Sequence, residues 1–234
     1  MKLSLVIPCY NEQASLPALI ARCEEAFRGE DAEVLLVDNG STDGSPAILR
    51  ERLAHSRQLR SVRVEENRGY GFGILTGLGA ARGEVLGWTH ADQQTDPADA
   101  RAGMALFQRS ADPARLFVKG RRRGRPLGDS FFTVGMSFFE SILLGERLWD
   151  INAQPTMFPA SFFRSWTAPP HDFSLDLFAY YLARCQGLTV ARFPVEFGRR
   201  AHGSSHWNVN WAAKWKFIQR TVRFSLELRK GARS

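Results

Sequence analysis

Four short apolar runs, each separated from the next by a helix-length segment, constrain this chain more than any other feature. Leu3-Ser4-Leu5-Val6-Ile7 is stopped by Pro8, and Val34-Leu35-Leu36-Val37, Val62-Arg63-Val64 and Val85-Leu86-Gly87-Trp88 follow. Leu16, Leu19, Ile20, Cys23 and Phe27 recur at helical spacing before Gly29, with Asn11 placed to cap that helix. Further helices are predicted over 46–55, 69–81 and 97–109, the last with Pro97 in its first turn. Near-continuous apolar strands alternating with helices imply a mainly parallel α/β sheet covered on both faces. In such sheets ligands bind beyond the carboxyl ends of the strands. The polar tips Pro8–Glu12, Asp38–Asp43 and His90–Asp96 are all expected there, around one crevice.

After Phe117-Val118 the pattern loosens into a basic run, Lys119–Arg125, too dense in charge for a buried element and read equally as a solvated loop or as a source of phosphate contacts. An apolar helix at 131–144 follows, then the segment Asp150–Phe158, a helix at 174–186 and a strand at 190–197 whose Pro194 suits a sheet edge. No linker or repeat separates this half from the first, so the two should pack together. The expected organisation is a domain over 1–206 with a basic helix over 207–234.

The stretch Phe131–Leu144 is interrupted by Ser137, Glu140 and Ser141 and falls short of the ~20 residues needed to cross a bilayer. With no leader-like start, a soluble cytoplasmic protein is expected, at most peripheral at the inner membrane face. Cys9, Cys23 and Cys185 lack metal or disulfide spacing; Cys23 and Cys185 read as small apolar fillers, while Cys9 lies beside polar loop residues.

From Arg199 to Ser234 there are nine Lys/Arg and one Glu, against a whole-chain charge of +7, so the basic excess belongs to the tail. Trp211, Trp215, Ile218, Val222 and Leu226 recur at helical steps with cations on the other faces. Such a helix either lies in an anionic membrane surface or docks its apolar stripe on the domain. Nucleic acid is the less favoured anion, because the crevice offers a smaller phosphate ligand a place.

Five segments carry a family resemblance. Val6-Ile7-Pro8-Cys9-Tyr10-Asn11-Glu12, Val37-Asp38-Asn39-Gly40-Ser41-Thr42-Asp43, Asn67-Arg68-Gly69 and His90-Ala91-Asp92-Gln93-Gln94-Thr95-Asp96-Pro97 resemble, in order, segments of family 2 glycosyltransferases of the GT-A fold. Arg200-Ala201-His202-Gly203-Ser204-Ser205-His206 resembles the branch that glycosylates dolichyl or polyprenyl phosphate. The resemblance implies an inverting transferase that moves a sugar from a nucleotide diphosphate sugar to a polyprenyl phosphate. A glycan hydroxyl as acceptor, or a catalytically silent member with a recruiting tail, are the alternatives.

By the same resemblance, Pro8, Tyr10, Asn11, Glu12, Asp38, Asn39, Gly40, Asn67, Gly69, His90, Asp92 and Ser205 would hold the donor. Asp92 and Gln94 would bind Mn2+ or Mg2+, weakly because His90 stands where the family has an acid. Arg200, Ser205 and His206 would neutralise the departing diphosphate. Arg122 would meet the acceptor phosphate, with Gln154 and Asp172 also on the acceptor side.

The residues themselves support part of this. Asp38 ends an apolar strand, where a carboxylate can accept hydrogen bonds from a nucleoside, although turn capping would also explain it and better explains Asp43. If the segment is extended, His90, Asp92 and Gln94 face one way. A hydroxyl acceptor would need a base, Asp176 or Asp172, whereas a phosphate would not. A zinc site from His90, His171, His202 and His206 lacks ligand spacing. Gly69-Tyr70-Gly71-Phe72-Gly73 does not have dinucleotide-fingerprint spacing, and its glycines suit close backbone approach.

Overall fold

A computed structural model describes residues 1–124, 127–198, 219 and 221–229, with the side chains of 127–134 left out. The first half is built from β1 (Leu3–Cys9), α1 (Leu16–Phe27), β2 (Ala32–Asn39), α2 (Ser45–Leu53), β3 (Leu59–Val64), α3 (Tyr70–Ala80), β4 (Val85–Trp88) and α4 (Asp99–Arg109). The second half adds β5 (Leu116–Arg123), α5 (Leu127–Leu144), β6 (Thr156–Pro159), α6 (Ala160–Arg164), α7 (Leu175–Cys185) and β7 (Thr189–Glu196). Residues 221–229 are helical.

The sheet runs β3-β2-β1-β4-β6-β5-β7, with β6 antiparallel to both neighbours and the other pairings parallel. The halves therefore share one sheet, and Pro194 lies on an edge strand as expected. β1 and β2 are buried along almost their whole length because helices cover both faces. On one face Leu16, Leu19, Ile20 and Phe27 of α1 pack with Leu49 of α2 and Phe107 of α4. On the other, Ile74 and Leu78 of α3 meet Phe162 of α6 and Leu175, Phe178 and Ala179 of α7.

Several expectations change. Asn11 does not cap α1, which begins at Leu16; its φ of 54° instead turns the loop towards β2. Lys119–Arg123 is not a solvated loop, because β5 carries it through the sheet with Lys119 fully buried. Cys185 is exposed, while Cys9 is buried and burial pushes its thiol well up, which disfavours the thiolate. The helix at 221–229 docks with Phe224 and Leu228, whereas Leu226 of the anticipated stripe is 45% exposed. The boundary anticipated at 206/207 falls outside the described residues.

Register places the site. Cys9 lies opposite Asp38 and Val6 opposite Trp88, so the tips following β1, β2 and β4 are neighbours. On the other side of β4, Trp88 pairs with Thr156 and Thr156 with Lys119, which extends the same row beneath the crevice into the second half.

Candidate active site

Side chains stitch the first two tips together. The Asn11 N–H donates to Ser41 Oγ (3.0 Å) and Asn11 Oδ1 accepts the Thr42 N–H (2.9 Å). The Glu12 N–H donates to Ser45 Oγ (3.0 Å) and the Gln13 N–H to Asp43 Oδ2 (3.1 Å). Burial acts to raise the Asp43 carboxyl, but hydrogen bonds from Ser45 and Gln13 hold it below its usual range. Tyr10, between these polar residues and Pro8, presents a ring that is 46% exposed. An exposed ring on a pinned loop is a stacking surface for a flat ligand.

Asp38 is buried and fully engaged. Its Oδ1 accepts the Ser41 N–H at 2.9 Å and its Oδ2 pairs with Arg63 at 3.0 Å. The Arg63 side chain is 47% exposed, so a ligand can reach the carboxylate by displacing it. Asn39 reaches the third tip, donating from Nδ2 to the Gly69 carbonyl (3.0 Å), while its buried Oδ1 has no partner among the described residues. Gly40, at φ +76°, lets the chain pass Asn67, and Asn67 Oδ1 accepts the Gly69 N–H (2.9 Å). The structure thus brings Tyr10, Asp38, Asn39, Gly40, Asn67 and Gly69 to one edge.

The segment after β4 is folded, not extended. Thr89 and Thr95 share a hydroxyl hydrogen bond of 3.0 Å, Asp92 Oδ1 accepts the Gln94 N–H (3.1 Å), and Gln93 adopts φ 57°. The alternation that would align His90, Asp92 and Gln94 is therefore absent, and Gln94 Nε2 donates to the Gly198 carbonyl (3.4 Å). His90 stacks on Tyr70 (5.6 Å), with Tyr70 Oη 3.5 Å from His90 Nδ1, and Tyr70 stacks on Phe173 (4.6 Å). Burial pushes the Tyr70 phenol well above its usual range, and the charges of Asp176 and Asp92 add to this, so it stays a hydrogen-bond donor.

Among the described residues no three His, Cys, Asp or Glu side chains gather as a metal-holding group. A cation there would find one carboxylate, Asp92, beside the His90 ring and the Gln94 amide. That set suits a hard divalent ion that takes its remaining oxygens from a diphosphate.

Below this layer lies a buried charged group. Lys119 Nζ donates to Thr156 Oγ1 (2.6 Å) and stands 3.9 Å from Asp176 Oδ1, which also accepts from Gln154 Nε2 (2.6 Å). Burial brings Lys119 down to about 7 despite the Asp176 charge, and burial raises Asp176. Arg122 is paired with Asp150, its Nε at 2.8 Å from Oδ1 and its backbone N–H at 3.1 Å from Oδ2. Burial acts to raise the Asp150 carboxyl, but Arg122 holds it below its usual range.

These contacts bear on three expectations. Gln154 is fully buried and holds Asp176, so it does not face an acceptor. Asp176, 2% exposed, lies beneath the crevice, not in it. Arg122 is already matched by a carboxylate. Asp172, half-buried, accepts the Ser174 N–H (2.9 Å) before α7. Arg200, Ser205 and His206 lie outside the described residues, as does His202.

Tyr70, Lys119, Asp150 and Thr156 were not singled out from sequence. Tyr70 was hidden among glycines, and Lys119 among arginines. The apolar run Leu116-Phe117-Val118 leading straight into Lys119 is the available signal, and the charge density masks it.

The profile described as Glycosyl transferase family 2 matches residues 4–165. An undecaprenyl-phosphate 4-deoxy-4-formamido-L-arabinose transferase of Aeromonas hydrophila is 39% identical over 97 residues, 40% of this chain and 30% of that protein. The matched stretch is thus less than a third of that relative's length. Among solved structures, glucosyl-3-phosphoglycerate synthase of Mycobacterium tuberculosis with Mn2+, UDP and glucosyl-3-phosphoglycerate superposes with a TM-score of 0.71 at 19% identity, covering 98% of this chain and 80% of that one. Residues 1–349 of S. aureus TarS give a TM-score of 0.60 at 18% identity, over 85% and 60% of the two chains. Sheet order, converging tips and the matched profile agree: the chain belongs to glycosyl transferase family 2, with a GT-A fold.

Proposed function

We propose that this glycosyltransferase takes a nucleotide diphosphate sugar and passes the sugar, with inversion, to a polyprenyl phosphate. The observation that carries this reading is the meeting of the β1, β2, β3 and β4 tips, with an exposed aromatic ring, a buried carboxylate and the His90–Asp92 loop at one edge. Tyr10 stacks on the base and Asp38 accepts from the nucleoside once Arg63 moves aside. His90 and Asp92 lie under the diphosphate, and the charges and hydroxyl of Arg200, Ser205 and His206 neutralise it as it departs. Mn2+ or Mg2+ held by Asp92 and Gln94 would supply Lewis-acid stabilisation of the leaving diphosphate.

An anionic acceptor fits the second half. A hydroxyl must lose its proton as it attacks, yet Asp176 is buried against Gln154 and Asp172 is engaged with Ser174. A phosphate needs no base. It attacks the anomeric carbon opposite the departing diphosphate, and one displacement inverts the centre. The undecaprenyl-phosphate relative supports the acceptor class, and the neighbour of like fold bound to Mn2+ and UDP supports a nucleotide donor used with a divalent ion.

Mass spectrometry of products from UDP-, GDP- and dTDP-sugars with undecaprenyl phosphate and Mn2+ tests the reading. Glycosylated lipid phosphate is expected. Calorimetry that detects no binding of any of these donors with Mn2+ would leave the silent alternative. His90→Asp, which restores a second carboxylate, is expected to lower the Mn2+ concentration for half-maximal turnover severalfold without abolishing it. Loss of all turnover in that variant would show that the imidazole has its own task.

A further inference from the structure

Over its described side chains, 135–144, helix α5 is amphipathic the wrong way round for a surface helix. Its inward residues are Ser137, Glu140 and Leu144, at 2%, 0% and 7% exposure, while Phe138 and Ile142 point outward at 68% and 66%, with Phe139 at 42%. The polar groups on this side are engaged apart from Glu140 Oε1, which has no hydrogen-bond partner among the described residues. Ser137 Oγ accepts the Asp150 N–H (3.2 Å), Ser141 Oγ accepts the Leu148 N–H (3.0 Å), and Glu140 Oε2 accepts the Ser225 hydroxyl (2.5 Å). The orientation is therefore fixed by polar contacts, and a helix normally turns its apolar side to the core. A clustered outward face of large apolar side chains marks a contact surface.

We propose that this face of α5 docks on an anionic lipid bilayer. The surroundings select that occupant. Trp149 is 48% exposed just beyond the helix, the ring type that settles at headgroup depth. Leu226, 45% exposed, lies on the neighbouring helix, next to the Ser225 that anchors Glu140. Arg147 is exposed beside these residues, and Arg121 and Arg123 are exposed where β5 leads towards α5, while the exposed Arg223 is paired with Glu227 at 3.2 Å. Cations around an apolar face suit anionic headgroups. A second copy on the same face would bring like charges together in a chain of net charge +7. No helix among the described residues is long and apolar enough to cross a membrane, so the contact is in plane. Its purpose rests on the polyprenyl phosphate reading, since such an acceptor keeps its tail in lipid; the docking itself does not.

The test is co-flotation of the full chain with phosphatidylcholine vesicles, with and without about a third phosphatidylglycerol. Binding is expected on the anionic vesicles and should weaken with salt. Phe138→Ser/Ile142→Ser, at solvent-facing positions, should keep the parent's circular dichroism and melting temperature yet bind roughly tenfold more weakly or worse. No binding by the parent, or equal binding by the variant, overturns the proposal. So does a parent dimer by light scattering that the double variant converts to monomer, since the face would then be a self-interface. Turnover separates this from the acceptor reading. The variant should match the parent on dispersed farnesyl phosphate and fall behind on undecaprenyl phosphate in vesicles. If the parent floats with anionic vesicles but glycosylates neither lipid, the docking stands and the acceptor reading fails.

Discussion

The two sides of the crevice handle charge differently. On the β1–β2–β4 side, acids are held by backbone N–H groups, and their cationic partners remain in water: Arg63 on Asp38 is 47% exposed and Arg22 on Asp96 is 40% exposed. On the β5–β6–α7 side the charges are submerged, with side-chain exposures of 0% for Lys119, 3% for Asp176, 10% for Arg122 and 5% for Asp150. The first side can exchange a solvated arginine for a ligand at little cost. The second is a rigid wall whose charges have given up water and depend on each other.

Removing one partner on each side puts that contrast to its hardest test. Asp150→Asn keeps a residue that tolerates the φ of 45° at this position but deprives buried Arg122 of its counter-charge. Urea unfolding should show a loss of about 3 kcal/mol. Arg63→Ala, which leaves Asp38 still bound to the Ser41 N–H, should cost about 1 kcal/mol or less because solvent already screens that pair. Equal losses would erase the distinction between the two sides.

Where the sides touch, the fit is tight. A Cβ on Gly71 of α3 would lie 2.6 Å from the Asp172 carbonyl and 2.7 Å from that of Pro170, both backbone atoms. The Phe72 N–H also donates to the His171 carbonyl at 2.9 Å, so the loop over the start of α3 is fixed from both directions. Gly71→Ala should cost about 2 kcal/mol in urea unfolding, because backbone must shift to admit the methyl. A neutral result would mean the 170–172 loop is not held there.

The submerged side should also reveal itself through pH. Lys119 is brought down to about 7 by burial, so from there up to its ordinary range the unfolded chain binds a proton that the folded chain does not. Stability then rises with pH across that window, with a slope of at most ~1.4 kcal/mol per pH unit. The raised carboxyl of Asp176 acts with the opposite sign as pH climbs through the acid range, where the folded state is the one holding the extra proton. Lys119→Met removes the alkaline rise. Unfolding midpoints measured between about pH 7 and 9 decide the matter, and parallel curves for parent and variant would show that Lys119 keeps its charge throughout.

What was legible in sequence divides along the same line. β1, β2 and β4 are visible because each is apolar almost throughout and each ends abruptly in polar residues, so the tips Tyr10, Asp38 and His90 could be placed before their contacts were known. The second half hides its logic. Lys119 stands in a run of arginines whose charge density reads as solvent, and β6 is a four-residue strand reached through Gln154-Pro155, with neither periodicity nor length to announce it. Polar residues buried in pairs break the rule by which burial is read from apolarity. The inward Ser137 and Glu140 of α5 invert it altogether. His90, Asp92 and Gln94 do not share a face for a related reason: Asp92 bonds the Gln94 N–H, and that local turn competes with extended backbone.

The smallest effect is the counterpart of Gly71 at the other end of the same helix. Gly79 is exposed near the end of α3, and a Cβ there would meet nothing within 4 Å. Gly79→Ala should therefore stabilise the fold by about 0.5 kcal/mol, through helix propensity and a less flexible unfolded chain. Paired with Gly71→Ala, it separates two causes that a glycine-rich helix confounds. If both alanines destabilise, α3 requires glycine for its backbone. Opposite signs confine the requirement to the end where the first half of the sheet receives the loop of the second.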